Sequence, residues 1–251
     1  MKKWIFLLLV LLTITGCRKP ADPENTHPGV TEPLSVETMA PETTAAVRET
    51  TPPTVPATTV PTVPETLPEP PSSDETFVRV LDYIPTATQQ LMYATDQNFT
   101  GQVIYDFEDA YLRWGTVKKL RLVCADLEEL GLYIKIWDGF RPVSAQFALW
   151  EVCPDPTYVA NPTTGHSSHS RGNTIDLTLV DADGAELTMP TGFDDFSVKA
   201  NREYSDCTPE EAGNAQLLEI LMEKHGFSGY HGEWWHYSDT VSYPVETVFE
   251  P

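Results

Sequence analysis

The stretch from Arg18 to about Glu75 lacks what a packed unit needs, and so it limits how much of the chain can form a domain. It is dense in Pro, Thr and Glu, nearly free of Gly and poor in large apolar side chains. Thr50-Thr51-Pro52-Pro53 and Thr58-Thr59-Val60-Pro61-Thr62-Val63-Pro64 are representative. Such a segment buries too little apolar surface to offset the entropy lost on ordering. Its prolines bias it to polyproline II, with a rise of about 3.1 Å per residue and a reach on the order of 150 Å when extended.

Ahead of this stretch, Met1-Lys2-Lys3 is basic and Trp4 to Leu12 is apolar. The apolar run is too short to cross a bilayer as a helix and has the pattern of a signal peptide. It ends Ile14-Thr15-Gly16-Cys17, which resembles a lipobox. The expected organisation is a signal peptide over residues 1–16, a disordered tether over 17–75 and one folded domain over 76–251. The expected location is outside the cell, with a lipid at Cys17 on the outer face of a bacterial membrane. The tether then lifts the domain toward the cell wall.

Formal net charge is -21 over 251 residues. That acidity excludes nucleic acid as a partner, because phosphates call for Lys and Arg. It leaves the lipid at Cys17 as the only expected membrane contact.

Periodicity then sketches the domain. Phe77 to Val80 reads as a short strand. Val117, Leu120, Val123, Cys124, Leu127 and Leu130 recur at helical spacing, with Gly131 as C-cap. Tyr133 to Trp137 alternates as a strand and delivers Asp138-Gly139-Phe140-Arg141-Pro142 at its end; a helix follows over about 143–152. A polar loop over 161–172 leads into a strand over 175–180. Asp181-Ala182-Asp183-Gly184 signals a hairpin, with Glu186 to Met189 as the returning strand. Thr208, Pro209 and Glu211 form a capping box ahead of a helix that buries Leu217, Leu218, Leu221 and Met222 and closes at Gly226.

Two stretches carry the chemistry. Ser167-Ser168-His169-Ser170-Arg171-Gly172-Asn173-Thr174-Ile175-Asp176 and Glu233-Trp234-Trp235-His236 together offer two imidazoles and two carboxylates. His169, Asp176 and His236 suffice to hold one Zn2+ and leave its fourth position open, the mark of a catalytic rather than a structural site. Glu233 is then free to move protons. In a regular strand, residues three apart point to opposite faces. Glu233 and His236 therefore reach one site only across a backbone irregularity. Trp234 and Trp235 read as packing walls.

These stretches resemble the pattern S-x-H-x-x-G-x-x-x-D followed by E-x-W-H of the zinc D-alanyl-D-alanine dipeptidases. Trp137-Asp138-Gly139-Phe140-Arg141-Pro142, Tyr93-Ala94-Thr95 and Asn98-Phe99-Thr100-Gly101 are similar to further blocks of that family, in its order. The resemblance implies an α+β fold of the hedgehog-like zinc D,D-peptidase kind, a small antiparallel-rich sheet with flanking helices. It implies one zinc ion per domain and hydrolysis of D-Ala-D-Ala. It gives Arg141 the developing oxyanion, Asp194 the substrate's amino group (with Asp195 as competitor) and Ser167 a substrate contact. The expected partner is a small D,D-dipeptide or a peptidoglycan stem peptide.

The nearest rival reading is a D,D-carboxypeptidase trimming stem peptides. The double Trp leans toward the free dipeptide, whereas an exported location leans toward wall turnover. A non-catalytic wall-binding relative and a structural zinc domain are further alternatives, disfavoured by the presence of Glu233 and Arg141 and by the three-ligand count. His166 and His231 lie near the proposed ligands in sequence as less favoured substitutes. Cys124 reads as a buried hydrophobe; Cys153 and Cys207, in less regular segments of an exported chain, are a candidate disulfide.

Overall fold

A computed structural model describes residues 67–251. The signal-peptide and lipid-anchor readings, and most of the tether, fall on residues outside that range. Packed structure begins ahead of Thr76. The Glu69 carbonyl accepts from Tyr83 Oη at 3.1 Å, and the Glu75 carbonyl from Arg113 Nη1 at 2.6 Å.

In chain order the elements are β1 (Phe77–Arg79), α1 (Val80–Tyr83), β2 (Thr88–Gln89), β3 (Tyr111–Arg113), α2 (Trp114–Glu128), β4 (Tyr133–Asp138), α3 (Val143–Val152), β5 (Thr174–Val180), α4 (Pro209–Lys224), β6 (Phe227–Tyr230) and β7 (Glu233–Asp239). β1 and β3 form a two-stranded sheet. The main sheet runs β2-β4-β5-β7-β6, antiparallel except for the β2–β4 pair. This is the α+β, antiparallel-rich architecture expected.

The central strand, β5, is buried along its whole length. α2 packs on β4, α4 packs on β5, β6 and β7, and the two helices touch. α2 buries Val117, Leu120, Val123, Cys124 and Leu127. Each such side chain contributes roughly 1.5–3 kcal/mol when fully removed from water. Burial pushes the Cys124 thiol up to about 12, so it packs as an inert hydrophobe. Leu130 lies beyond the helix end and is exposed, a departure from the periodic pattern. α4 begins with the expected capping box, Thr208 Oγ1 accepting from the Glu211 amide and the Glu211 carboxylate accepting from the Thr208 amide.

Two expectations need correction. The return after the 181–184 turn is a single bridge, Val180 to Glu186, rather than a strand. The returning chain still touches β5, its Leu187 amide donating to the Leu179 carbonyl at 3.0 Å, but it makes no longer ladder. The Cys153–Cys207 bridge is not made: Cys207 is free, with its thiol toward the Lys199 carbonyl, and Cys153 is fully buried in the core. The last residues, unassigned from sequence, form a strap. The Glu246 amide donates to the Ser170 carbonyl at 2.7 Å, Arg171 Nη1 to the Tyr243 carbonyl at 2.7 Å, and Phe249 stacks on Phe77 at 4.3 Å.

Candidate metal-centred active site

His169 is presented by a single turn of 3-10 helix, Ser168–Arg171. Ser167 caps that turn, its Oγ accepting from the His169 amide at 3.3 Å. Gly172 ends it with φ 71°, and a Cβ there would lie 2.3 Å from the Phe77 ring. The turn thus sits tight against β1, with the C-terminal strap behind it.

The His169 ring is oriented by its Nδ1–H, which donates to the Gly139 carbonyl at 2.8 Å. This fixes the tautomer and turns the Nε2 lone pair toward Asp176 Oδ2, 3.3 Å away. His236 approaches from the other side. Its Nδ1 lies 3.0 Å from Asp176 Oδ1 and 3.3 Å from His169 Nε2, and its Nε2 lies 3.5 Å from Ser168 Oγ. Donor atoms of His169, Asp176 and His236 all fall within 4.8 Å of one another. The donor set fits zinc, and so does one further feature. Asp176 Oδ1 is buried without a hydrogen bond, as a ligand oxygen is when its lone pair serves a cation. Burial alone would raise the Asp176 carboxyl, but the two imidazoles outweigh it and hold the group well below the usual carboxylate range. His166 and His231 lie outside the ligand cluster; His231 is exposed, and His166 lines the rim of the cavity.

Glu233 enters the same space, with Oε2 3.4 Å from His236 Nδ1. The irregularity expected of this segment is present. Gly229 pairs with Tyr237, yet the next residue, Tyr230, pairs with Glu233, so 234–236 have no partner in β6. Burial raises the Glu233 carboxyl above its ordinary value, and Asp176 pushes the same way while the imidazoles oppose.

Arg141 follows β4 and is buried. Its Nε and Nη2 both donate to Asp138 Oδ2, at 3.1 and 2.7 Å, and its Nη1 donates to Gln146 Oε1 at 2.9 Å. A guanidinium has five N–H groups, so two remain for whatever enters the cavity. The Tyr93 ring lies under the cation, 4.9 Å from Cζ. Asp138 and Gln146 therefore hold Arg141 in place; sequence reasoning quoted Asp138 but gave it no task. The reason is a second bulge. Ile136 pairs with Leu177 and Asp138 with Asp176, so Trp137 is an extra residue and Asp138 leaves the face that simple alternation would give it.

Asp194 reaches the cavity from the loop after β5, in the left-handed region at φ 54°, and accepts a hydrogen bond from Tyr93 Oη at 2.8 Å. Burial, with Glu233 adding to it, raises its carboxyl well above the ordinary value. Asp195 instead caps its own loop, accepting from the Ser197 amide. Of the two, Asp194 lines the cavity.

These groups line one cavity of about 270 Å³ with Tyr158, Ser167 and Tyr230. From the lining residue Tyr158 a chain of aromatic rings runs outward, Tyr158 on Phe196 at 4.5 Å and Phe196 on Phe99 at 5.4 Å, which joins three loops. Nothing in the periodicity of those loops pointed to these contacts.

Comparison with known proteins gives the family. The family model described as D-ala-D-ala dipeptidase, peptidase M15, matches residues 73–248. The D-alanyl-D-alanine dipeptidase of Escherichia coli (strain K12) is 37% identical over 163 residues, covering 64% of this chain and 84% of that protein. The D-alanyl-D-alanine dipeptidase of Enterococcus faecalis is 36% identical over 165 residues, covering 58% and 82%. Among solved structures, the vancomycin resistance D,D-dipeptidase VanXYg with a D-Ala-D-Ala phosphinate analog is 22% identical at a TM-score of 0.36. This chain matches about half of its length (53%), over 55% of its own.

Proposed function

Because the chain belongs to the D-ala-D-ala dipeptidase family of zinc peptidases, we propose that it hydrolyses free D-Ala-D-Ala to two D-Ala. One observation carries the reading: three donor side chains within 4.8 Å of one another, with a half-buried carboxylate from the same strand as one of them beside the cluster.

His169, Asp176 and His236 would hold the zinc, which would supply a Lewis acid for the scissile carbonyl and lower the pKa of water. Glu233 takes the proton from the attacking water and returns it to the leaving amine. Its carboxylate, 3.4 Å from His236 Nδ1, stands beside the donor cluster, as a proton carrier must. Arg141 directs its two spare N–H groups to the oxygen on which negative charge develops. Asp194, held by Tyr93, receives the substrate's ammonium group, and Ser167 contacts the substrate from the capped turn.

The test is an assay of the purified domain on D-Ala-D-Ala and on a pentapeptide stem side by side. The dipeptide is expected to be cleaved, a chelator to abolish turnover and added zinc to restore it. Equal or faster trimming of the stem would instead establish a D,D-carboxypeptidase.

The same proposal includes location. A basic start, a short apolar core and Gly16-Cys17, followed by a Pro/Thr-rich tether, support export and lipid attachment at Cys17. Radiolabelled fatty acid should enter the parent and not Cys17→Ala; equal labelling of both overturns the anchor. At that location the substrate comes from wall turnover or scavenging.

A further inference from the structure

We infer that Arg202 is the positioning residue that lets one strand deliver both the proton carrier and a metal ligand. The inference rests on the dipeptidase reading for its meaning, and on geometry alone for its substance.

β7 has to break its own alternation to bring Glu233 and His236 to one face. It does so by bulging over Trp234, Trp235 and His236, none of which pairs with β6. A bulge of that size leaves backbone carbonyls without ladder partners. Trp234 and Trp235 are buried, at 0% and 1% exposure, so water cannot supply the missing donors. Buried carbonyls need donors from elsewhere in the protein.

Arg202 supplies them from outside the sheet. Its Nε donates to the Tyr230 carbonyl at 2.8 Å. Its Nη2 donates to the Trp234 carbonyl at 2.9 Å and to the His236 carbonyl at 3.0 Å. Its own amide donates to the His231 carbonyl at 3.0 Å. One residue therefore grips the end of β6, the turn that follows it and the bulge in β7. The guanidinium is itself fixed: Nη1 donates to Tyr237 Oη at 3.0 Å and lies 3.3 Å from Glu219, and Cζ sits 4.3 Å over the Tyr237 ring. The planar fork of an arginine can satisfy several fixed acceptors at once, which a lysine cannot. Gly229 makes room, since a Cβ there would lie 2.4 Å from Arg202 Cζ.

Arg202 has no contact with the cavity; it acts through the backbone of His236. Removing it lets the bulge relax toward regular alternation, which carries His236 Nδ1 and Glu233 away from their shared face. Outer partners that orient ligands typically influence metal affinity by about 10- to 100-fold.

The experiment measures zinc affinity by chelator competition, kcat and KM on D-Ala-D-Ala, and thermal unfolding, for Arg202→Ala, Arg202→Lys and Gly229→Ala. Arg202→Ala is expected to bind zinc about 10- to 100-fold more weakly and to lose kcat by at least as much, with KM changed little. Arg202→Lys should recover part of both. Gly229→Ala keeps the arginine but displaces it, and should show the same paired loss. A purely structural role would lower the unfolding temperature while the folded protein kept parental zinc affinity and kcat, and that result in any folded variant overturns the inference. If Arg202→Ala does not fold, the other two variants decide by the same criterion. Zinc affinity is read without substrate, so an error about the substrate leaves this test intact.

Discussion

Glu233→Ala is expected to fold, to retain zinc on His169, Asp176 and His236, and to hydrolyse D-Ala-D-Ala about 100- to 10,000-fold more slowly, the range typical for loss of a positioned proton carrier. The three donors do not need Glu233: it lies 3.4 Å from His236 Nδ1 and belongs to the cavity wall rather than to the ligand cluster. The loss should fall on kcat, because the proton moves only as the reaction proceeds. Metal content by atomic absorption and turnover by D-Ala release check the two halves separately. Near-parental turnover with zinc bound would falsify the assignment. Turnover lost together with zinc would mean that Glu233 is a ligand instead.

Arg141→Met is expected to lower kcat by about 100- to 1,000-fold, the usual cost of one oxyanion donor. A second effect accompanies it. The side chain shares Asp138 Oδ2 through two donors, and removing the cation leaves a buried carboxylate short of partners. Breaking one side of a buried pair costs roughly 3–5 kcal/mol, so the variant should also unfold at lower temperature. Tyr105 Oη and the Gly139 amide still donate to Asp138 Oδ1 and moderate that loss. Arg141→Lys separates the two roles. It keeps a charge beside Asp138, so most stability should return, but it loses the fork aimed into the cavity, so kcat should remain depressed. Kinetics and thermal unfolding on both variants give the answer, and parental kcat in Arg141→Met removes the guanidinium from the reaction.

How much was visible beforehand depends on the range over which the cause acts. α2, α4 and β5 are announced by local periodicity and by a capping box, which are properties of neighbouring residues. That His169, Asp176 and His236 would cluster was legible because donor chemistry and motif spacing restrict the choice. The irregularity in β7 followed from geometry, since Glu233 and His236 cannot share a face otherwise. The bulge at Trp137 had no such warning, because no ligand in β4 demanded it. Arg202 was silent for a related reason: its acceptors are backbone carbonyls, which every residue has. The Tyr158–Phe196 contact joins loops far apart in sequence, and no spacing rule reaches across them. The Cys153–Cys207 expectation failed because irregular local context says nothing about distance.

One rung of the main sheet has a broader consequence. Asp138 of β4, Asp176 of β5 and His236 of β7 stand opposite one another in register. Sliding any of these strands by a single residue would keep the helices, the strands and most of the apolar packing, yet turn a key side chain to the wrong face. Metal uptake is therefore a gauge of strand alignment, able to distinguish a correctly threaded molecule from a near-miss that spectroscopy of secondary structure would pass. Single-residue insertions or deletions should be tolerated in the loops and be fatal to zinc binding within those three strands.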